Sequence, residues 1–139
     1  MELMRGSLIF LAAALCAFAA GSDKSETLNG KLVLNAGKPP AIATAGDQLV
    51  QLDGDDSTRK ILGDRRLNGF EVQAKGRFTA PGRFLIDPIH TTAMMVRQGG
   101  HLKTITYWCD VCSIRAYTPG PCVCCQRETT LDLRDPGAK

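Results

Sequence analysis

Five of the six cysteines fall within residues 109–125, inside the run YWCDVCSIRAYTPGPCVCC that covers residues 107–125. Cys109 and Cys112 form one C-x-x-C pair, and Cys122 and Cys125 form a second after nine intervening residues. A C-x-x-C turn brings two sulfurs near one point and lets backbone N–H groups aim at them. Pro119, Gly120 and Pro121 supply a turn that returns the chain, so that the second pair faces the first. Two such pairs on a turn-rich hairpin predict a four-thiolate tetrahedral site for one metal ion. Four thiolates on a divalent cation leave about −2 formal charge. Arg115 and Arg127 flank the cluster, where they can offset part of it. A closed four-sulfur shell has no open position for substrate, so the metal is expected to be structural, stapling a tail with little apolar mass.

Two other chemistries fit the same thiols. In an oxidising compartment, five thiols make two disulfides and leave one free. Trp108-Cys109-Asp110-Val111-Cys112 is also a W-C-x-x-C, the pattern of thiol–disulfide redox enzymes. That chemistry wants the first thiol at a helix N-terminus, and the prolines that follow make a helix there a poor fit. Haem attachment through C-x-x-C-H is excluded because residue 113 is Ser. Trp108 is expected to act as an apolar cover for the sulfurs.

Outside the cysteines the chemical material is thin. His90 with Met94 and Met95 has a copper-binding composition, against a plain reading of Met94 as core. His101 follows a Gly-Gly turn and reads as solvated. Asp53, Asp55, Asp56 and Asp64 have a calcium-loop spacing, but Thr58 stands at the sixth place where such loops need glycine. The plain reading is a polar turn. Gly76-Arg77-Phe78 and Gly82-Arg83-Phe84 repeat an Arg-aromatic pair that can stack nucleobases; core Phe with surface Arg is the alternative. No nucleotide-binding loop, nucleophile elbow or paired catalytic carboxylates stand out. A non-enzymatic protein is expected.

The elements that must position the cysteines read as strands and turns. Residues 28–35 alternate, with Leu32 and Leu34 on one face, and GKPPAIATAG is a loop. Residues 48–53 alternate again, and 69–78 place Phe70, Val72 and Ala74 at period 2. Ala80-Pro81-Gly82 turns the chain into a strand over 84–86 with Ile89. Gly99-Gly100 joins two further strands as a hairpin. The segment Arg59–Leu62 reads as a strand, or as part of one short helix within 56–68. Short strands with glycine-marked bends suggest a small barrel.

The order GKLVL, LVQLDGD, RRLNGFEVQAKG, RFLIDPI resembles small exported bacterial OB-fold domains, with Leu67, Gly69, Val72 and Gly76 at their pattern positions and Ala74 where Val is usual. The match covers about residues 27–90 and implies fold alone. The tail, about residues 105–130, resembles rubredoxin-like knuckles, desulforedoxin in particular. Tyr107, Cys109 and Cys112 match the first half and the adjacent Cys124-Cys125 the second; Ser113 replaces the expected glycine. This resemblance implies a mononuclear iron or zinc site. Cys109, Cys112 and Cys125 belong to either ligand set, with Cys122 or Cys124 completing it.

The chain opens on a single Arg, an apolar stretch from Leu8 to Ala20 and small residues before a polar onset, the pattern of a signal peptide over residues 1–21. Thirteen apolar residues fall short of the roughly 20 of a membrane span. Secretion or export to a periplasm is expected. Removing Arg5 and Glu2 leaves the net charge at +3, too little to imply nucleic acid or an anionic membrane as partner. The expected protein is one all-β domain over 22–139. It is an OB-like barrel with a C-terminal cysteine-rich β-hairpin, its metal-binding tail at about 101–134. Its partner would be an envelope protein or polymer. The alternative function is a periplasmic redox or electron-transfer protein.

Overall fold

The computed structural model describes residues 24–138; the signal-peptide reading of residues 1–21 lies outside them. Nine strands form one continuous sheet. β1 (Glu26–Val33), β2 (Ala41–Ala43), β3 (Leu49–Asp53), β5 (Arg83–Ile86) and β4 (Glu71–Ala80) close a five-stranded barrel. The ring is β1-β2-β3-β5-β4-β1, antiparallel everywhere except for the parallel β3–β5 seam. The molecule is thus an all-β protein with a small closed barrel, as the strand pattern implied, and its cysteine cluster lies in the C-terminal region. Among the described residues, no helix is long and apolar enough to cross a membrane.

Period-2 alternation builds the barrel interior. Leu28 and Leu32 of β1, Val50 and Leu52 of β3, Val72 and Ala74 of β4, and Phe84 and Ile86 of β5 all point inward and are buried. Leu49 is 61% exposed, so Val50 and Leu52 carry the inner face of β3. Leu34 and Phe70 lie just outside their strands and pack against the core.

The segment Arg59–Leu62 is not a strand. It belongs to helix α1 (Asp56–Leu62), which a 3₁₀ turn (Arg65–Leu67) follows. Asp55 caps the helix, its Oδ1 accepting the Thr58 N–H at 2.9 Å. Thr58, Ile61 and Leu62 form the buried face. Two turns are too short to show a helical period in sequence. Ile89 likewise does not continue β5. It is 69% exposed, sits at φ 67° and precedes a single helical turn, α2 (His90–Ala93).

β4 is the strand that joins barrel and tail. Residues Glu71–Ala74 pair with β6 (Met94–Gln98), while Gly76–Ala80 pair with β5. The switch needs close backbone approach at Gly76, where a Cβ would overlap the Leu85 carbonyl. From β6 the sheet passes to β7 (His101–Cys109), which pairs with β8 (Ile114–Ala116) and, on its other edge, β9 (Thr130–Arg134). Ile105 and Tyr107 of β7 extend the barrel core, and Leu131 and Leu133 of β9 pack against it. Gly76→Ala is expected to destabilise the fold by about 2–3 kcal/mol, because backbone rather than a flexible side chain must yield. Chemical denaturation followed by Trp108 fluorescence measures it.

Candidate metal centre

β7 ends at Cys109, whose side chain is buried, as is that of Tyr107 two residues earlier on the same face. The chain turns through Asp110 and Val111 to Cys112, and the Cys112 N–H points at Cys109 Sγ at 3.5 Å. Ser113 then takes a left-handed conformation, φ 53°, and reverses the chain into β8. The second pair repeats this design. The Cys124 N–H points at Cys122 Sγ at 3.5 Å, and Gln126, one residue past Cys125, sits at φ 60°. A bridge between Pro121 and Glu128 closes this loop, with the Cys122 N–H donating to the Arg127 carbonyl at 2.7 Å. Each knuckle is therefore C-x-x-C followed by a left-handed residue, and neither left-handed residue is glycine.

The sulfurs of Cys109, Cys112, Cys122 and Cys125 all lie within 4.8 Å of one another, and those of Cys109 and Cys125 are 3.6 Å apart. A tetrahedral ion with metal–sulfur bonds of about 2.3 Å sets its sulfurs about 3.8 Å apart. The four cysteines can thus hold a metal ion, and among the described residues they form the sole such group. No disulfide joins them; all five tail cysteines are free. Cys109 and Cys122 are buried, Cys112 and Cys125 half-buried. Cys124 is exposed and outside the group of four; its sulfur borders Cys112.

The thiols perturb one another. The N–H groups of Cys125 and Cys124 pull the Cys122 thiol down to about 7. Cys112 is pushed up by the neighbouring sulfurs of Cys124 and Cys125 and by burial. At Cys109 the Cys112 N–H lowers the pKa, but burial and the sulfurs of Cys125 and Cys122 outweigh it, and the net shift is upward.

Two expectations about the surroundings fail. Trp108 faces away from Cys109, because successive strand residues point to opposite faces. Its ring carries the Arg115 guanidinium, 4.8 Å from the centroid. Arg115 does not offset the sulfurs either: it donates to Thr106 Oγ1 at 2.6 Å and to Asp132 Oδ2 at 2.7 Å.

The remaining sequence candidates do not converge. His90 Nε2 lies 2.7 Å from the Tyr117 carbonyl, Met94 is wholly buried, and Met95, as the next strand residue, points to the other face. Asp53 pairs with Arg59 at 2.8 Å, Asp55 caps α1 and Asp64 caps the 3₁₀ turn. Phe84 is core, and Phe78, 44% exposed, packs on it edge-on. His101 is exposed.

A polar string that sequence reading missed ties the barrel to the second knuckle. Arg66 donates to Asp64 at 2.9 Å and to the Thr129 carbonyl at 2.8 Å. The buried Thr129 hydroxyl donates to the Gly120 carbonyl at 2.9 Å. Arg66 also lies over the Tyr107 ring. Burial would raise the Asp64 pKa, but Arg66, then Tyr107, outweigh it and hold the carboxyl below its ordinary value. The Tyr107 hydroxyl is buried without a partner of hydrogen-bond geometry, and burial beside Asp64 raises it.

Comparison with known protein families, curated proteins and solved structures finds no match.

Two predictions follow from this geometry. Ser113→Gly and Gln126→Gly should each stabilise the protein by about 1 kcal/mol, by relieving left-handed strain; a fall in melting temperature would contradict the assignment. Asp64→Asn should cost about 1–2 kcal/mol at neutral pH. A lowered carboxyl pKa stabilises the fold above the unfolded value of 3.8 and loses that contribution on acidification below it. The gap between wild type and variant should therefore close below about pH 4, as followed by denaturation across pH.

Proposed function

We propose that the protein is an exported, non-enzymatic binding or structural module whose C-terminal hairpin is held by one zinc or iron ion on Cys109, Cys112, Cys122 and Cys125. One observation carries this reading. From Asp110 to Glu128 only Cys122 is buried, so the segment has no apolar core of its own. Yet its two knuckles bring four sulfurs within 4.8 Å of one another. Something other than hydrophobic burial must hold them. A four-sulfur ion supplies about 10–16 kcal/mol in small zinc-folded peptides, ample for such a loop.

The chain's own residues would do specific work around the ion. The N–H groups of Cys112 and Cys124 orient and stabilise the thiolates of Cys109 and Cys122. Ser113 and Gln126 turn the chain so that the second thiol of each pair faces inward. With all four positions filled by sulfur, the ion would stabilise structure and open no site for substrate. Cys124 stands outside the shell. The apolar N-terminal stretch and its polar onset support export.

Metal analysis of protein purified from its native compartment should find one ion per chain. Chelation, or serine at Cys109 and Cys125, should strip it. Amide protection should then be lost over residues 110–128 and kept in the barrel strands. A red iron form with reversible reduction would favour electron transfer instead. Unchanged metal content and unchanged tail protection in the serine variant would contradict the proposal.

A further inference from the structure

A groove of about 870 Å³ opens on the barrel, apart from the cysteine cluster, where the β1–β2 loop, the end of β3, helix α1 and the start of β5 meet. Its size is that of a small-molecule site, typically about 300–1,000 Å³. The walls are fixed. The Leu34 N–H donates to Asn68 Oδ1 at 2.9 Å, and the Leu52 N–H donates to the Pro40 carbonyl at 2.8 Å. Pro39 and Pro40 restrict the loop between these anchors. The groove is therefore preformed, which lowers the ordering cost of binding.

Its lining combines apolar surface with unbalanced charge. Leu34, Leu62 and Leu85 contribute aliphatic surface. The charged lining residues are Lys38, Arg59, Arg65 and Arg83 against a single carboxylate, Asp53. Arg59 already binds both Asp53 oxygens, at 2.8 and 3.3 Å. Lys38, Arg65 and Arg83 form no ion pair among the described residues. The whole chain carries only +3, so this is a local concentration of positive charge. Two free guanidinium groups suit planar or tetrahedral oxyanions, which they grip with paired donors.

We propose that this groove binds a small organic polyanion, with two or more carboxylate or phosphate oxyanions on an apolar or aromatic body. The apolar body would lie along the leucines, and the oxyanions would meet Lys38, Arg65 and Arg83. A small ligand fits better than a nucleic acid, because the groove is of small-molecule size and the chain as a whole carries little net charge.

The test titrates the full chain, by amide-resolved NMR, with benzene-1,3,5-tricarboxylate, with benzene-1,3,5-triyl trisphosphate and with uncharged benzene-1,3,5-tricarboxamide. At least one of the two anions should saturate and shift the amides of Gly37, Gly63 and Leu85; the tighter one tells carboxylate from phosphate. The carboxamide should not bind. Arg65→Ala and Arg83→Ala, both at exposed positions, should each weaken binding roughly fivefold, and together at least tenfold. Metal content should not change, which separates this proposal from the one about the cysteines. Lys75→Ala, on a residue that does not line the groove, should leave binding unchanged. No saturable shift with either anion would overturn the proposal. So would equal binding of the carboxamide, full affinity in the double variant, or tighter binding of a single-stranded oligonucleotide at the same amides.

Discussion

Four thiolates within 4.8 Å of one another cannot all keep their charge unless a cation stands among them. The C-terminal third of the molecule is organised around that constraint. Backbone N–H groups point at Cys109 and Cys122, two left-handed residues turn the knuckles inward, and a proline bridge holds the second knuckle closed. None of these features buries apolar surface. Their shared consequence is to bring four sulfurs to one point.

The barrel supplies the rigid end of this arrangement. β4 belongs to two pairings at once, first with β6 and then with β5, so the tail sheet grows directly from the barrel wall. β7 continues the apolar interior through Ile105 and Tyr107 and delivers Cys109 at its last residue. A strand packed against a core is a stiff mount for the first knuckle. The second knuckle is reached through longer loops and depends on the string from Asp64 through Arg66 and Thr129 to Gly120.

The sequence pattern was most legible where one physical rule governs each residue. Alternation in Leu28–Leu32, Val72–Ala74 and Phe84–Ile86 reads directly as inner barrel faces. The C-x-x-C spacing shows that Cys109 and Cys112 form one turn and Cys122 and Cys125 another. The resemblance to rubredoxin-like knuckles, whose second half is an adjacent Cys-Cys pair, left Cys122 and Cys124 as rivals; the fold directs Cys122 inward and Cys124 to solvent. Helix α1 was ambiguous because two turns carry too little periodicity, and its cap at Asp55 competed with a calcium-loop pattern. The positions of Trp108 and Arg115 are hidden for a simpler reason. Nearness in sequence to Cys109 is not nearness in space, because β7 turns Trp108 to the opposite face. The Asp64–Arg66–Thr129 string joins residues more than sixty positions apart and left no local trace.

X-ray absorption at the metal edge of the native protein tests the central claim most directly. The account predicts one ion per chain with about four sulfur neighbours near 2.3 Å and no nitrogen or oxygen in the inner shell. A shell of light atoms, or a metal-free protein whose mass shows the tail thiols paired as disulfides, would contradict it.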